Sequence, residues 1–222
     1  MSLLAKVYCT WAILSILLAV TAAGLNAETV TRLLTLAFLG LQIRARATLA
    51  SCAPFVSPRW RFVIMGTVLA AVVEGFHMIS KPVFASVTIG WNTTLAQALK
   101  NYAIDLLFTV PAYLVILNVM WHFVNRYTLS TWEYVFLAGL GQTLGDGGIF
   151  FFAGAPFMLL FLPYPMTNYH AMNIIPFLAV KNEIEPAGRP FLATVYFVAS
   201  IIVTYLVCGT LIKLAARPFG LE

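Results

Sequence analysis

Glu74 and His77 stand one helical turn apart inside an apolar run, and Asp105, Gln142, Asp146, His170 and Asn173 stand inside others. Ionisable groups are expensive in hydrocarbon, so in such runs they turn toward a bundle interior and mark functional sites. Desolvation penalises a carboxylate, and an acid kept neutral is what proton donation requires. Glu74 is therefore the candidate proton donor, with His77 at i+3 placed to relay a proton or share a hydrogen bond. Asp105, flanked by Asn101 and Thr109 one turn away, is the candidate base or charge partner if it faces Glu74. Otherwise it is an acid favoured by the dipole near a helix start.

Gln142 and Asp146 form a second one-turn pair. Gly141 and Gly145 have the small-residue spacing that lets helices approach closely. With Gly147 and Gly148 they also weaken the helix: a kink or break here would expose backbone polar groups beside Asp146, and otherwise the glycines serve packing and Asp146 reaches headgroups or water. His170 and Asn173 are the third pair, and Asn173 is a candidate for fixing a hydroxyl or orienting a carboxyl. Aromatic residues near these acids, Phe76, Trp132, Phe150, Phe151 and Tyr169, are candidates for a pocket lining. An aromatic face stabilises a developing cation through its quadrupole. An apolar chamber, a protonated acid and aromatic walls together fit carbocation chemistry on an isoprenoid or a sterol.

The elements that must position these groups are membrane helices. Apolar residues make up 61% of the chain and charged residues 9%, against roughly 25% charged in soluble proteins. Several runs approach the ~20 residues that a spanning helix needs, and the alternation of a β-barrel is missing. The fold class is all-α, a polytopic transmembrane bundle in one domain over residues 1–222. The expected spans are Val7 to Gly24, Leu33 to Ile43, Phe62 to Ile79, Tyr102 to Phe123, Trp132 to Phe152, Pro156 to Leu178 and Phe191 to Leu214. The second reaches full length only if Thr29 to Arg32 join it, with Arg32 snorkelling to the interface. That makes seven helices, or six if the second run lies in the interface. Pro163, Pro165 and Asn168 interrupt the sixth. The first resembles a signal peptide with a cleavage site near Ala27, and is read as a retained span.

Basic residues fall between the runs. Seven spans put Lys6, Arg44, Arg46, Arg59, Arg61, Arg126, Lys181 and Arg189 on one side, and Arg32, Lys81, Lys100, Lys213 and Arg217 on the other. The larger group places the N-terminus in the cytoplasm. The glycosylation pattern Asn92-Thr93-Thr94 then lies on the opposite side. Basic residues in ones and twos are topology determinants rather than a nucleic-acid surface. Cys9, Cys52 and Cys208 make neither a disulfide framework nor a zinc site. The three histidines lack metal-ligand spacing, and no nucleotide or nucleophile motif occurs. No cofactor or metal is expected. The expected partners are the lipid bilayer, a hydrophobic small molecule and, as an open option, a second copy in a homo-oligomer. The expected location is multi-pass in a membrane, the endoplasmic reticulum if the source is eukaryotic.

Val73-Glu74-Gly75-Phe76, then an acid in the next helix, then Gly141-Gln142 and Gly145-Asp146, then Met172-Asn173, resembles the emopamil-binding protein family of sterol isomerases (the EXPERA group). The order matches over roughly residues 66–180, and the spacing from Asp105 through Gln142 to Asn173 is similar. The resemblance implies that buried carboxyls deliver and remove protons as a ring double bond shifts through a cation. It gives Glu74 the place of the family's Glu, Asp105 that of its second acid and Asn173 that of its late-helix Asn. The chain departs where the family has His, Thr and Trp, with Ala70, Phe108 and Pro176. It also has extra helices beyond the family's five. A relative acting on another lipid is the expectation. A looser similarity is to small membrane terpene cyclases, which protonate an isoprenoid from a Glu in the third helix. The resulting expectation is a metal-free acid–base enzyme that isomerises or cyclises a hydrophobic alkene. Glu74 would donate the proton, with Asp105 or Asp146 as base, and His77, Gln142, His170, Asn173, Trp132, Phe76 and Tyr169 around the substrate. The alternative is a small transporter or a lipid-binding subunit of a membrane complex, although no inverted repeat is visible.

Overall fold

The apolar runs fold mainly as helices, and polar side chains cap the starts of three of them. In the computed structural model, which describes residues 3–186, 188 and 192–221, the elements are α1 (Leu3–Ala23), α2 (Ala27–Arg44), α3 (Arg46–Ala50), α4 (Pro58–His77), α5 (Leu95–Val124), α6 (Thr131–Thr143), α7 (Ile149–Gly154), α8 (Pro163–Val180) and α9 (Ala193–Ala216). Asn26 caps α2 by accepting from the Thr29 N–H at 3.0 Å. Thr94 with Gln97, and Ser130 with Glu133, form capping boxes at the starts of α5 and α6, each satisfying two orphan N–H groups. Pro58 and Pro163 open α4 and α8, where a missing N–H costs nothing.

Among the described residues no strand forms. Five helical segments are long and apolar enough to cross a membrane: Ala5–Ala23, Pro58–His77, Leu95–Val124, Thr131–Gly154 and Ala193–Phe219. The count of seven spans is therefore not established. The two shortfalls have different causes. In α2 the charges Glu28, Arg32 and Arg44 lower hydropathy. Arg32 does not snorkel fully outward, because its side chain is 12% exposed. In α8 the cause is enclosure: most of its 18 residues are buried, Asn168, His170 and Asn173 among them, and it packs against α1, α2, α3, α4 and α6. A helix wrapped by protein is released from the demand for an apolar surface.

The sixth run also starts differently from the expectation. Pro156–Phe161 is a 3₁₀ turn, and Pro163 and Pro165 sit in the first turn of α8 instead of interrupting it. The fifth run is broken at its glycines. A π-helical turn, Leu144–Gly148, joins α6 to α7, with Asp146 at φ −81°, ψ 39° and Gly147 at φ 87°. Only glycine adopts that second conformation without strain, so Gly147 makes the break beside Asp146. Arg189, and Phe191 as the start of the last span, lie outside the described residues.

The main core lies between α4, α5, α6, α8 and α9, with Tyr134 stacked on Phe177 at 4.1 Å. A second cluster, Met78, Phe84, Val87 and Ala216, closes the end where α4 and α9 finish. Glu28 and Lys81 meet at this end, and Arg61 and Glu183 pair at the other. The glycine spacing brings α6 against α9: a Cβ on Gly141 would lie 3.0 Å from that of Ile201, and one on Gly145 2.7 Å from that of Tyr205.

Candidate functional site

The close approach of α6 to α9 and the enclosure of α8 leave a cavity of about 410 Å³ between α4, α5, the π turn, α8 and α9. This is within the usual range for small-molecule sites, roughly 300–1,000 Å³. Glu74 and Asp146, 72 residues apart in the chain, both line it. Glu74 comes from the last turn of α4, and Tyr113 of α5 donates to its Oε1. Asp146 comes from the π turn, and Tyr169 of α8 donates to its Oδ2 at 2.6 Å. The second oxygen of each carboxyl makes no other hydrogen bond among the described residues and stays accessible. Each acid is thus held through one oxygen by a tyrosine and free at the other.

His77 also lines the cavity. Its Nε2 meets the side-chain nitrogen of Asn168, a cavity residue of α8, at 2.7 Å. It pairs with Asn168, not with Glu74. Gln142 and Asn173 lie one layer behind the wall. Asn173 donates to Gln142, and Gln142 donates to the Tyr205 hydroxyl at 2.9 Å. Tyr205 lines the cavity, so the amide pair reaches the site through that phenol. With its oxygen accepting from Gln142, the Tyr205 O–H is left to donate elsewhere.

Other sequence candidates lie elsewhere. Asp105 is fully buried and does not line the cavity. It accepts from the Val83 N–H at 2.9 Å, and no hydrogen bond joins it to Glu74 among the described residues. Asn101, one turn earlier, donates to the Val87 carbonyl at 3.1 Å. Together they tie the 83–87 loop, whose Val83 is part of the cavity wall, to α5. His170 is bonded through Nε2 to the Tyr8 hydroxyl of α1 and lies under Gly139, where a Cβ would come within 2.6 Å of its ring. Phe76 packs edge-on against Phe38, Trp132 is half-buried on the main core, and Phe150 and Phe151 are exposed. Tyr169 alone of the aromatic candidates lines the cavity.

Tyr113, Tyr205, Asn168, Lys81 and Lys213 also line it, and none was singled out for the site from the sequence. Tyr205 had a readable signal, a phenol among apolar residues in the cleanest span, since a buried hydroxyl needs a partner. Asn168 was read as a helix interruption and Lys81 as a topology determinant. Among the described residues no group of three or more His, Cys, Asp and Glu side chains gathers to hold a metal. No family model, curated protein or solved structure matches the chain.

Proposed function

We propose that the protein is an integral membrane enzyme that protonates and deprotonates a hydrophobic alkene in this cavity, isomerising or cyclising it. One observation carries the reading: Glu74 on α4 and Asp146 in the π turn line the same cavity. Tyr113 donates to one Glu74 oxygen, which leaves the other to carry the transferable proton. Glu74 adds that proton to an alkene carbon, becomes a carboxylate, and leaves a carbocation. Asp146, ionised, removes a proton from a neighbouring carbon and the double bond re-forms. Proton return from Asp146 to Glu74 through water or the tyrosine hydroxyls resets the pair. No electrons are exchanged, so neither isomerisation nor cyclisation needs an oxidant or reductant. The faces of Tyr113, Tyr169 and Tyr205 supply the quadrupole that favours the cation.

The test starts with mass spectrometry of the lipid that copurifies with the protein, followed by incubation of the complex in deuterated water. Wild-type protein is expected to place deuterium on carbon, and Glu74→Gln to bind the same lipid without labelling it. Equal labelling by the variant rejects the assignment.

A second reading rests on the break at Asp146. Polar residues on broken helices are a transporter signature, and the π turn between α6 and α7 fits it. Proton-coupled flux in liposomes that Asp146→Asn abolishes, with no deuterium placed on any lipid, would favour transport.

A further inference from the structure

The cavity is charged in two layers. Glu74 and Asp146 line it beside Tyr113 and Tyr169, which donate to them, whereas Lys81 and Lys213 line the end where α4 and α9 terminate, beside Pro82, Val83 and Ile212. Tyr205 and Lys213 both line the cavity and are eight residues apart on α9. The space therefore runs about 12 Å along that helix at 1.5 Å per residue. Arg32 flanks the same end, its guanidinium 5.4 Å from the Tyr164 ring centre, with Nε and Nη1 buried and without a partner. Among the described residues one acid forms ion pairs with these cations, and Asp146 also acts on Arg32 through space. Glu28 lies 3.0 Å from Lys81 and 3.9 Å from Arg32, and Lys213 has no ion pair among the described residues. The mouth is left with surplus positive charge, and the deeper wall is Ile116, Met172 and Cys208 between the tyrosines.

A neutral hydrocarbon has no use for such a collar, and a cationic head would be repelled by it. Building on the reading of the cavity as a lipid site, we propose that its ligand is an amphiphile with an anionic head, phosphate or carboxylate. The head is held between Lys81 and Lys213, and the apolar tail runs past Glu74 and Asp146. Head and acids are kept apart by the depth of the cavity, so the negative head does not sit on the carboxyls that handle protons. The arrangement also fixes register. Anchoring the head at a set depth decides which carbon of the tail stands beside Glu74, and orientation of this kind is a large part of catalytic advantage.

The test compares three ligands with one tail: farnesyl phosphate, farnesoic acid and farnesol. They are titrated into purified protein in an uncharged detergent, and binding is read by the shift in thermal unfolding. Both anionic ligands are expected to bind more tightly than farnesol. Lys81→Gln and Lys213→Gln should each weaken them about fivefold, the order expected for one lysine near a charged head. Farnesol should be unaffected, Lys81→Arg and Lys213→Arg should keep the affinity, and raised salt should narrow the gap. Lys100→Gln, at an exposed lysine outside the cavity lining, should change nothing. A preference between the two anions assigns the head as phosphate or carboxylate. Equal binding of all three ligands, or a gap that both glutamine variants leave intact, overturns the anionic head and spares the lipid cavity. Failure of all three to bind overturns both.

Discussion

Replacing Gly145 by alanine tests whether close helix contact sets the shape of the cavity. A Cβ at Gly145 would lie 2.7 Å from the Tyr205 Cβ and 3.1 Å from the Ile202 Cα. Neither atom can swing aside, because one is backbone and the other is fixed to it. The helices must separate, and overpacking of this kind costs about 1–3 kcal/mol. Alanine recovers up to about 1 kcal/mol of helix propensity over glycine. The clash lies with rigid atoms and takes the upper part of its range, so the net expectation is a loss of about 2 kcal/mol. The same change at Gly40 is the control. That glycine is in α2, and a Cβ there meets nothing within 4 Å, so only the propensity term remains and stability should rise by up to about 1 kcal/mol. The assay is thermal unfolding in detergent, followed by thiol labelling of buried Cys208 in a chain whose Cys9 and Cys52 are replaced by serine. Gly145→Ala should also displace Tyr205 from Gln142 and reduce ligand binding. A Gly145→Ala protein as stable as wild type, or a Gly40→Ala protein that loses stability, refutes the packing argument.

Further expectations follow from single contacts. Tyr113→Phe removes the donor to Glu74. A hydrogen bond to a charged group is worth about 1.5–3 kcal/mol, so turnover should fall roughly ten- to hundredfold with folding retained; unchanged kcat would show that the phenol does not hold the acid. Asp105→Asn keeps an oxygen for the Val83 N–H, and should preserve deuterium labelling, whereas Asp105→Ala should weaken ligand binding by freeing the 83–87 loop. Loss of labelling in Asp105→Asn would instead return Asp105 to the role of base. Tyr8→Phe leaves His170 without its phenol partner, and should expose α1 to protease while leaving ligand affinity as it was; altered affinity would place His170 in the site.

The helices were readable where an apolar run is bounded by a charge, as in α4 (Pro58–His77); α5 begins at Leu95, seven residues before the expected start at Tyr102, because the Thr94–Gln97 capping box carries the helix through the polar stretch around Lys100 and Asn101. The glycines around Asp146 signalled either a break or close packing, and they do both: Gly141 and Gly145 pack on α9, and Gly147 makes the break. The two cavity acids stood out as charges where hydrocarbon tolerates few. Their partners did not, because a tyrosine in an apolar helix is common and only the neighbouring helix decides what its hydroxyl meets. Asp105 and Glu74 looked alike in sequence, and their difference is one of direction. Asp105 turns to the backbone of the 83–87 loop and Glu74 to the cavity, and side-chain direction depends on how α4 and α5 are rotated against each other.

The polarity of α8 follows from where it lies. In a bilayer the outer faces of a bundle must be apolar, so the polar groups a site requires gather on whichever helix lipid touches least. Here that helix is α8, which carries Asn168, Tyr169 and Asn173, and whose partners come from other elements: His77 on α4, Asp146 in the π turn and Gln142 on α6. Each bond serves twice. It removes an unpaired polar group from the core, which would otherwise cost about 1–3 kcal/mol, and it fixes a side chain that lines the cavity or supports one that does. The support of the site and the stability of the bundle are therefore the same contacts. A helix outside the five that are long and apolar enough to cross a membrane is thus the one around which the others are organised.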